Sequence, residues 1–321
     1  MKKVFFLTLF TVTVSVLVAV ESKEMSNFEN EHTLLNYDFS FAELAIKYLE
    51  TGSPEYLHEI SNLDAADHIY NHALLSRRIE PTSSKLELIT NLLSPLDKQR
   101  ELLPIFKERL NFAKEDLAKS GIVEKITLQF LPADFNFSGS LFFTFGYSNA
   151  AKGKNCNVNL ADTMNIKNVN SMVYVAAHEL HHNGFIAIKN DDNMFSLDIT
   201  TYKEMLHLIE NGTHSEGMAV YTQFSTMEQE TPFNSDMPFP NIQEFEEKYF
   251  DIYYHFKNSP DILLTQEDWN KFYNLSNGGL WYIIGAYMTK TIDQNLGREK
   301  LVSLISEPSG NFIATYLEIK K

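Results

Sequence analysis

The sequence predicts a predominantly helical α+β fold in which a small sheet packs on one histidine-bearing helix. Three observations carry this expectation. Apolar residues recur at three- and four-residue spacing from Phe39 to about Lys119, the period of an amphipathic helix. Three short β-prone runs follow between Ile126 and Leu160. A further helix-period segment, Asn170 to Gly184, comes directly after them, and helical patterns fill most of the remainder.

The chain opens on Met1-Lys2-Lys3 and an apolar run from Val4 to Val20. This is the pattern of a secretory signal over residues 1–22, with cleavage near Ser22 or, at a rival site, near Val20. An exported protein (secreted, periplasmic or cell-surface) is expected. The run is slightly short for a membrane span, so an uncleaved N-terminal anchor is the alternative. No other membrane attachment is expected. The formal net charge is −15, and an acidic chain is repelled by phosphate backbones, so no nucleic-acid partner is expected. Cys156 is the only cysteine. Without a disulfide, an exported chain must rely on core packing. With 44% hydrophobic residues, 24 Phe and 15 Tyr, the material for a large core is present.

Residues 23–121 are expected to form a helical N-terminal region. Residues 23–35 are polar and expected to be flexible. Breaks are expected at Gly52-Ser53-Pro54, Pro81 and Pro95, and the longest helix at Leu102 to Lys119, closed by Ser120-Gly121. His68 and His72 are four apart, with Asp64 four residues earlier. No glutamate follows His68 in the position a hydrolytic metal site needs, so a polar stripe lining a cleft is the favoured meaning. The second region, 122–321, begins with expected strands at Ile126–Leu131, Leu141–Tyr147 and Asn157–Leu160. The last of these could be an exposed edge that accepts an extended peptide through backbone hydrogen bonds.

Within Asn170–Gly184 lies His178-Glu179-Leu180-His181-His182, an H-E-x-x-H pattern. On a helix, His178 and His182 stand one above the other and can share a tetrahedral Zn²⁺. Glu179 is one step round the helix and suits a general base acting on a water at the metal. Asn170 or Ser171 can cap this helix and Asn183-Gly184 can end it; Val173, Ala176, Ala177 and Leu180 form its apolar stripe. His181 is redundant with His182 and falls to a supporting or surface role.

A zinc enzyme needs a third protein ligand and an open fourth position. After an acidic loop, Lys189 to Asp198, a helix is expected from Thr201 to Glu210, closed by Asn211-Gly212. Glu216 would then sit in the first turn of a new helix, where Gly217 and Ala219 remove bulk and permit close approach to the zinc helix. Glu216 is the preferred third ligand, with Glu204, His207, Glu210, Asp191, Asp192 and Asp198 as competitors. Three prolines between 228 and 240 mark a loop, and helices are expected at about 241–257, 265–275 and 279–296. On the last, Tyr282 and Tyr287 are candidates to donate a hydrogen bond to an oxyanion.

The H178-E-L-H-H182 motif with S215-E-G-M-A-V-Y221 resembles the gluzincin metallopeptidases, and in particular bacterial zinc-dependent peptidases of unknown function. The run Gly279 to Ile292, then Gly297 to Leu301, is similar to the C-terminal helices of that group. The resemblance covers roughly residues 155–320. It implies a zincin-like catalytic core, zinc ligands His178, His182 and Glu216, and Glu179 as catalytic base. The chain also departs from better-known gluzincins. Its 33 residues between His182 and Glu216 exceed the aminopeptidase spacing, no G-x-M-E-N run is present, and Val220 occupies the place of the thermolysin-like aspartate.

The expected function is therefore zinc-dependent hydrolysis of a peptide or protein substrate, with Glu179 moving the proton from water to the leaving amine. The alternatives are a zinc hydrolase acting on a non-protein amide or ester, and a non-catalytic zinc- or peptide-binding module.

Overall fold

The apolar period that begins at Phe39 becomes a row of packed helices. The computed structural model describes residues 35–321 apart from 163–164, 193, 228–229, 236 and 277–278. The expected signal over 1–22 and the polar residues 23–34 lie outside them. The described residues form a predominantly helical α+β fold with one four-stranded sheet, as the sequence predicts.

A three-residue strand, β1 (Asn36–Asp38), leads into α1 (Ser40–Thr51), α2 (Glu55–Ser61), α3 (Asp64–Leu75) and α4 (Lys85–Asp97). Each buries its apolar stripe: Phe41, Ala45 and Leu49 from α1, Ile69 and Ala73 from α3, Ile89 and Leu93 from α4. Gly52 stops α1 in the left-handed region at φ 70°, its N–H bonded to the Tyr48 carbonyl. Pro95 does not break α4, which runs two residues past it. Helices α5 (Leu103–Phe112) and α6 (Ala118–Ser120) are joined by a π-helical turn over Ala113–Leu117, so the expected long helix is nearly continuous.

The expected strand at Ile126–Leu131 is not formed. Instead α7 (Ile122–Thr127) runs into a 3₁₀ turn at Leu128–Phe130. The alternating apolar pattern there also contains a helical one: Val123, Ile126 and Phe130 are all buried. Thr127 Oγ1 donates to the Val123 carbonyl within the helix and, at 3.4 Å, to Ala177. Tertiary packing decides such a short segment.

The remaining strands are β2 (Ser140–Thr144), β3 (Ala150–Lys152) and β4 (Asn155–Asn159), in the order β1-β2-β4-β3. β1, β2 and β4 run parallel, while β3 folds back antiparallel on β4 around Gly153-Lys154. The strand near Asn157 is thus interior, not the exposed edge expected. The three-residue β3, too short to show a period, takes the edge position.

Behind the sheet lie α8 (Ser171–Lys189) and α9 (Tyr202–Ser225), then α10 (Ile242–Lys257), α11 (Gln266–Ser276), α12 (Leu280–Leu296), α13 (Arg298–Ser303) and α14 (Ser309–Ile319). Helix α8 does not stop at Asn183-Gly184. Gly184 instead faces Leu131, whose Cδ1 would lie 2.4 Å from an added Cβ, and Asn183 donates to the Gly153 carbonyl. Neither Asn170 nor Ser171 caps α8 through its side chain; Asn168 Oδ1 accepts from the Ser171 N–H. Likewise α9 passes straight through Asn211-Gly212, because Gly212 makes room for the Trp281 ring, 2.3 Å from where a Cβ would be. The start of α9 is fixed by a Thr201/Glu204 capping box. The buried guanidinium of Arg109 donates to the carbonyls of Leu160, Asp162 and Ile166, pinning the segment that leads from β4 to α8. Among the described residues no helix is long and apolar enough to cross a membrane.

Candidate metal centre

His178 and His182 leave α8 from successive turns, and Glu216 meets them from the middle of α9. The Nε2 atoms of the two histidines are 3.1 Å apart, and Glu216 Oε2 lies 3.0 Å from His182 Nε2 and 3.5 Å from His178 Nε2. Ligands about 2.0–2.1 Å from a tetrahedral zinc stand roughly 3.3 Å from one another. The three edges of this triangle bracket that value, so the donor set fits a zinc ion in size as well as chemistry. Among the described residues these three form a group able to hold a metal.

The supporting contacts agree with that use. A histidine that binds metal through Nε2 carries its proton on Nδ1 and needs an acceptor there. For His182 the acceptor is Ser215 Oγ at 2.8 Å, one residue before Glu216. His178 Nδ1 is buried without a partner in the described structure. Burial works against the Glu216 carboxylate, but the neighbouring His182 and His178 hold it well below the usual carboxylate range.

Glu179 is buried beside the triangle. Burial pushes its carboxyl up to about 8, against the pull of His178 and with the charges of Glu216 and Asp162 adding. Asp162 accepts from Asn149 and Asn165 and, on the loop pinned by Arg109, reaches the same cleft. The cleft is about 560 Å³ and is lined by His178, Glu179, His182 and Glu216 together with the edge strand Ala150–Lys152. Val220, Phe224 and Tyr282 line it as well. The charge of Glu216 and then burial drive the Tyr282 phenol upward, so it remains a donor.

The other candidates fall elsewhere. Tyr287 is outside the cleft lining; its ring packs on Phe239 and Tyr316. Glu204 is spent on the cap of α9, His207 contacts Asn211, Glu210 accepts from Tyr253, and Asp198 pairs with Arg77. Asp191 and Asp192 lie in the loop between α8 and α9, with Asp192 on the cleft wall. His181 is buried and kept neutral, its pKa lowered to about 3 by burial. His68 and His72 bond to the Ala150 carbonyl and the Tyr147 hydroxyl, and His72 lines the cleft.

Gly217 approaches α12, not the zinc helix as the sequence suggested. A Cβ on Gly217 would lie 2.3 Å from the Gly285 carbonyl carbon, and one on Gly285 would lie 2.3 Å from the Thr213 carbonyl oxygen. This backbone-to-backbone crossing sets the position of Glu216 and of Tyr282 on α12. Ser215, Asp162 and the β3 edge were not anticipated from the sequence. The place of Ser215 immediately before Glu216, and the glycine turn at 153, are the signals that could have found two of them.

No curated protein and no solved structure matches the chain. A family model described as "Putative zinc dependent peptidase (DUF5700)" matches residues 55–321, which include the whole cleft, α8, α9 and α12. The chain belongs to this family.

Proposed function

We propose that the protein is an exported zinc metallopeptidase that hydrolyses peptide bonds in the cleft between β3 and α9. The observation that carries this is the triangle of His178, His182 and Glu216, with edges of 3.0–3.5 Å, beside a buried Glu179 that takes no part in it. Those three residues would hold the zinc. Zinc held there supplies a Lewis acid that polarises the scissile carbonyl and makes a bound water acidic near neutral pH. Glu179 takes the water proton and passes it to the leaving nitrogen. Tyr282, which lines the same cleft, turns its hydroxyl to the developing oxyanion. Ser215 holds the His182 ring in the tautomer that leaves Nε2 unprotonated. The free edge of β3 supports an extended peptide bound by backbone hydrogen bonds, which would lay its carbonyls along the cleft. Export rests on the Met1–Val20 pattern, and sequencing the N-terminus of the natural protein tests it.

The function is tested with a quenched fluorescent peptide pool. Cleavage should stop with a chelator and return with zinc. Cleavage that persists after complete metal removal would refute the proposal, and turnover of simple esters or amides without any peptide cleavage would replace it with the broader hydrolase.

A further inference from the structure

In a chain with net charge −15, the cleft lining carries two cations, Arg78 and Lys152, besides its carboxylates Asp162, Glu179, Asp192 and Glu216. The nearest basic neighbour in sequence, Arg77, pairs with Asp198 at 3.3 Å. Arg78 makes no ion pair among the described residues, and neither does Lys152. Yet Arg78 is held in place. Its Nη1 donates to Ser148 Oγ at 2.7 Å and its guanidinium stacks over the Tyr147 ring at 5.5 Å.

The backbone also fixes it. Helix α3 ends with the Arg78 N–H bonded to the Ala73 carbonyl and the Arg77 N–H to that of Leu74. This closure needs a left-handed residue, and Arg77 supplies it at φ 51°, where non-glycine residues are uncommon. Lys152 arrives from the edge strand β3. Both cations act on the His72 ring, which burial first, and then His68, Arg78 and Lys152, lower to about 3. His72 is therefore neutral, with Nδ1 2.7 Å from the Tyr147 hydroxyl. Arg78, Lys152 and His72 all line the cleft. A planar guanidinium and an ammonium lining one cleft match a carboxylate better than any neutral group.

We propose that Arg78 and Lys152 form a carboxylate subsite, through which the cleft selects peptides bearing an acidic side chain or a free C-terminus. This rests on the peptidase function for its substrate class but has its own readout in binding.

Three peptides of otherwise identical sequence test it on the zinc-loaded full chain: one with Glu and an amidated end, one with Gln and an amidated end, one with Gln and a free end. Dissociation constants and kcat/KM are measured for wild type, Arg78→Gln, Lys152→Gln and the double variant. One or both carboxylate-bearing peptides should bind roughly tenfold more tightly than the neutral one. The double variant should lose that preference while keeping its affinity for the neutral peptide. Preference for the Glu peptide alone identifies a side chain as the ligand, and for the free end alone, a C-terminus. Equal binding of all three peptides to wild type, or a preference that survives in the double variant, overturns the subsite. If the double variant fails to fold, the wild-type preference must still shrink as salt is raised, and a salt-independent preference overturns the subsite. Binding preference without any cleavage would retain the subsite and refute the peptidase function; cleavage blind to carboxylates would do the reverse.

Discussion

Gly217→Ala tests whether the helix crossing, and not only the ligand residues, makes the metal centre. The new Cβ would sit 2.3 Å from the Gly285 carbonyl carbon and 2.5 Å from its oxygen. Both obstacles are backbone, so no rotamer change relieves them. Carbon contacts relax at about 3.5 Å or more, so α9 and α12 must part by roughly 1 Å. Overpacking of this kind costs about 1–3 kcal/mol, offset by ~1 kcal/mol because alanine favours the helix more than glycine. The melting temperature should therefore move by only a few °C. Metal binding should suffer more. Glu216 is the adjacent residue, and metal–ligand distances tolerate only about 0.2 Å. A shift of an ångström should weaken zinc binding roughly tenfold or more, measured by competition with a chromophoric chelator. Gly285→Ala should act similarly and the two should be less than additive, since either one opens the same contact. Gly184→Ala is the control: its Cβ meets only the flexible tip of Leu131. Unchanged zinc affinity in Gly217→Ala would refute the claim that this crossing positions Glu216.

Ser215→Ala removes the Nδ1 acceptor of His182 and should lower zinc affinity about 10–100-fold while the fold melts normally. Tyr282→Phe should keep its zinc but lose about 10²-fold in kcat with little change in KM, as stopped initial-rate assays would report; loss of zinc instead would make the tyrosine only a prop for Glu216. The third concerns acid. Burial lowers His68 from an ordinary value near 6.5 to about 4, so below 6.5 the unfolded chain takes up a proton that the fold refuses. The stability is complete above pH 6.5 and falls as pH drops toward 4, by roughly 3 kcal/mol from this one residue. Urea midpoints of metal-free protein across that range should show the decline, and His68→Gln should reduce it by about that amount while the buried His72 and His181 keep the rest.

Much of the site was legible because helical spacing fixes it locally. His178 and His182 are four residues apart on a helix whose apolar residues announce it, so their proximity follows from the sequence alone. Glu216 could be preferred but not singled out, because its position depends on how α9 crosses α8 and α12. The crossing was misjudged for a related reason. A glycine in a helix pattern can be a stop or a close contact, and Gly184, Gly212 and Gly217 all proved to be contacts. What each one faces is decided by residues distant in sequence: Leu131, Trp281 and Gly285. The sheet was harder still. β1 and β3 are three residues each and exist only through pairing, so no period could reveal them. Ile126–Leu131 carried two periods at once, and packing of α7 on α8 selected the helical one.

The central claim is that this site is built to hydrolyse, with Glu179 moving protons beside a metal it does not bind. Glu179→Gln keeps His178, His182 and Glu216 and the shape of the cleft. The direct measurement is zinc content by elemental analysis beside hydrolysis of a quenched peptide pool, for wild type and variant together. The account predicts one zinc per chain in both proteins and a fall of about 10²–10⁴-fold in turnover for the variant. Equal cleavage by two equally zinc-loaded proteins would contradict it.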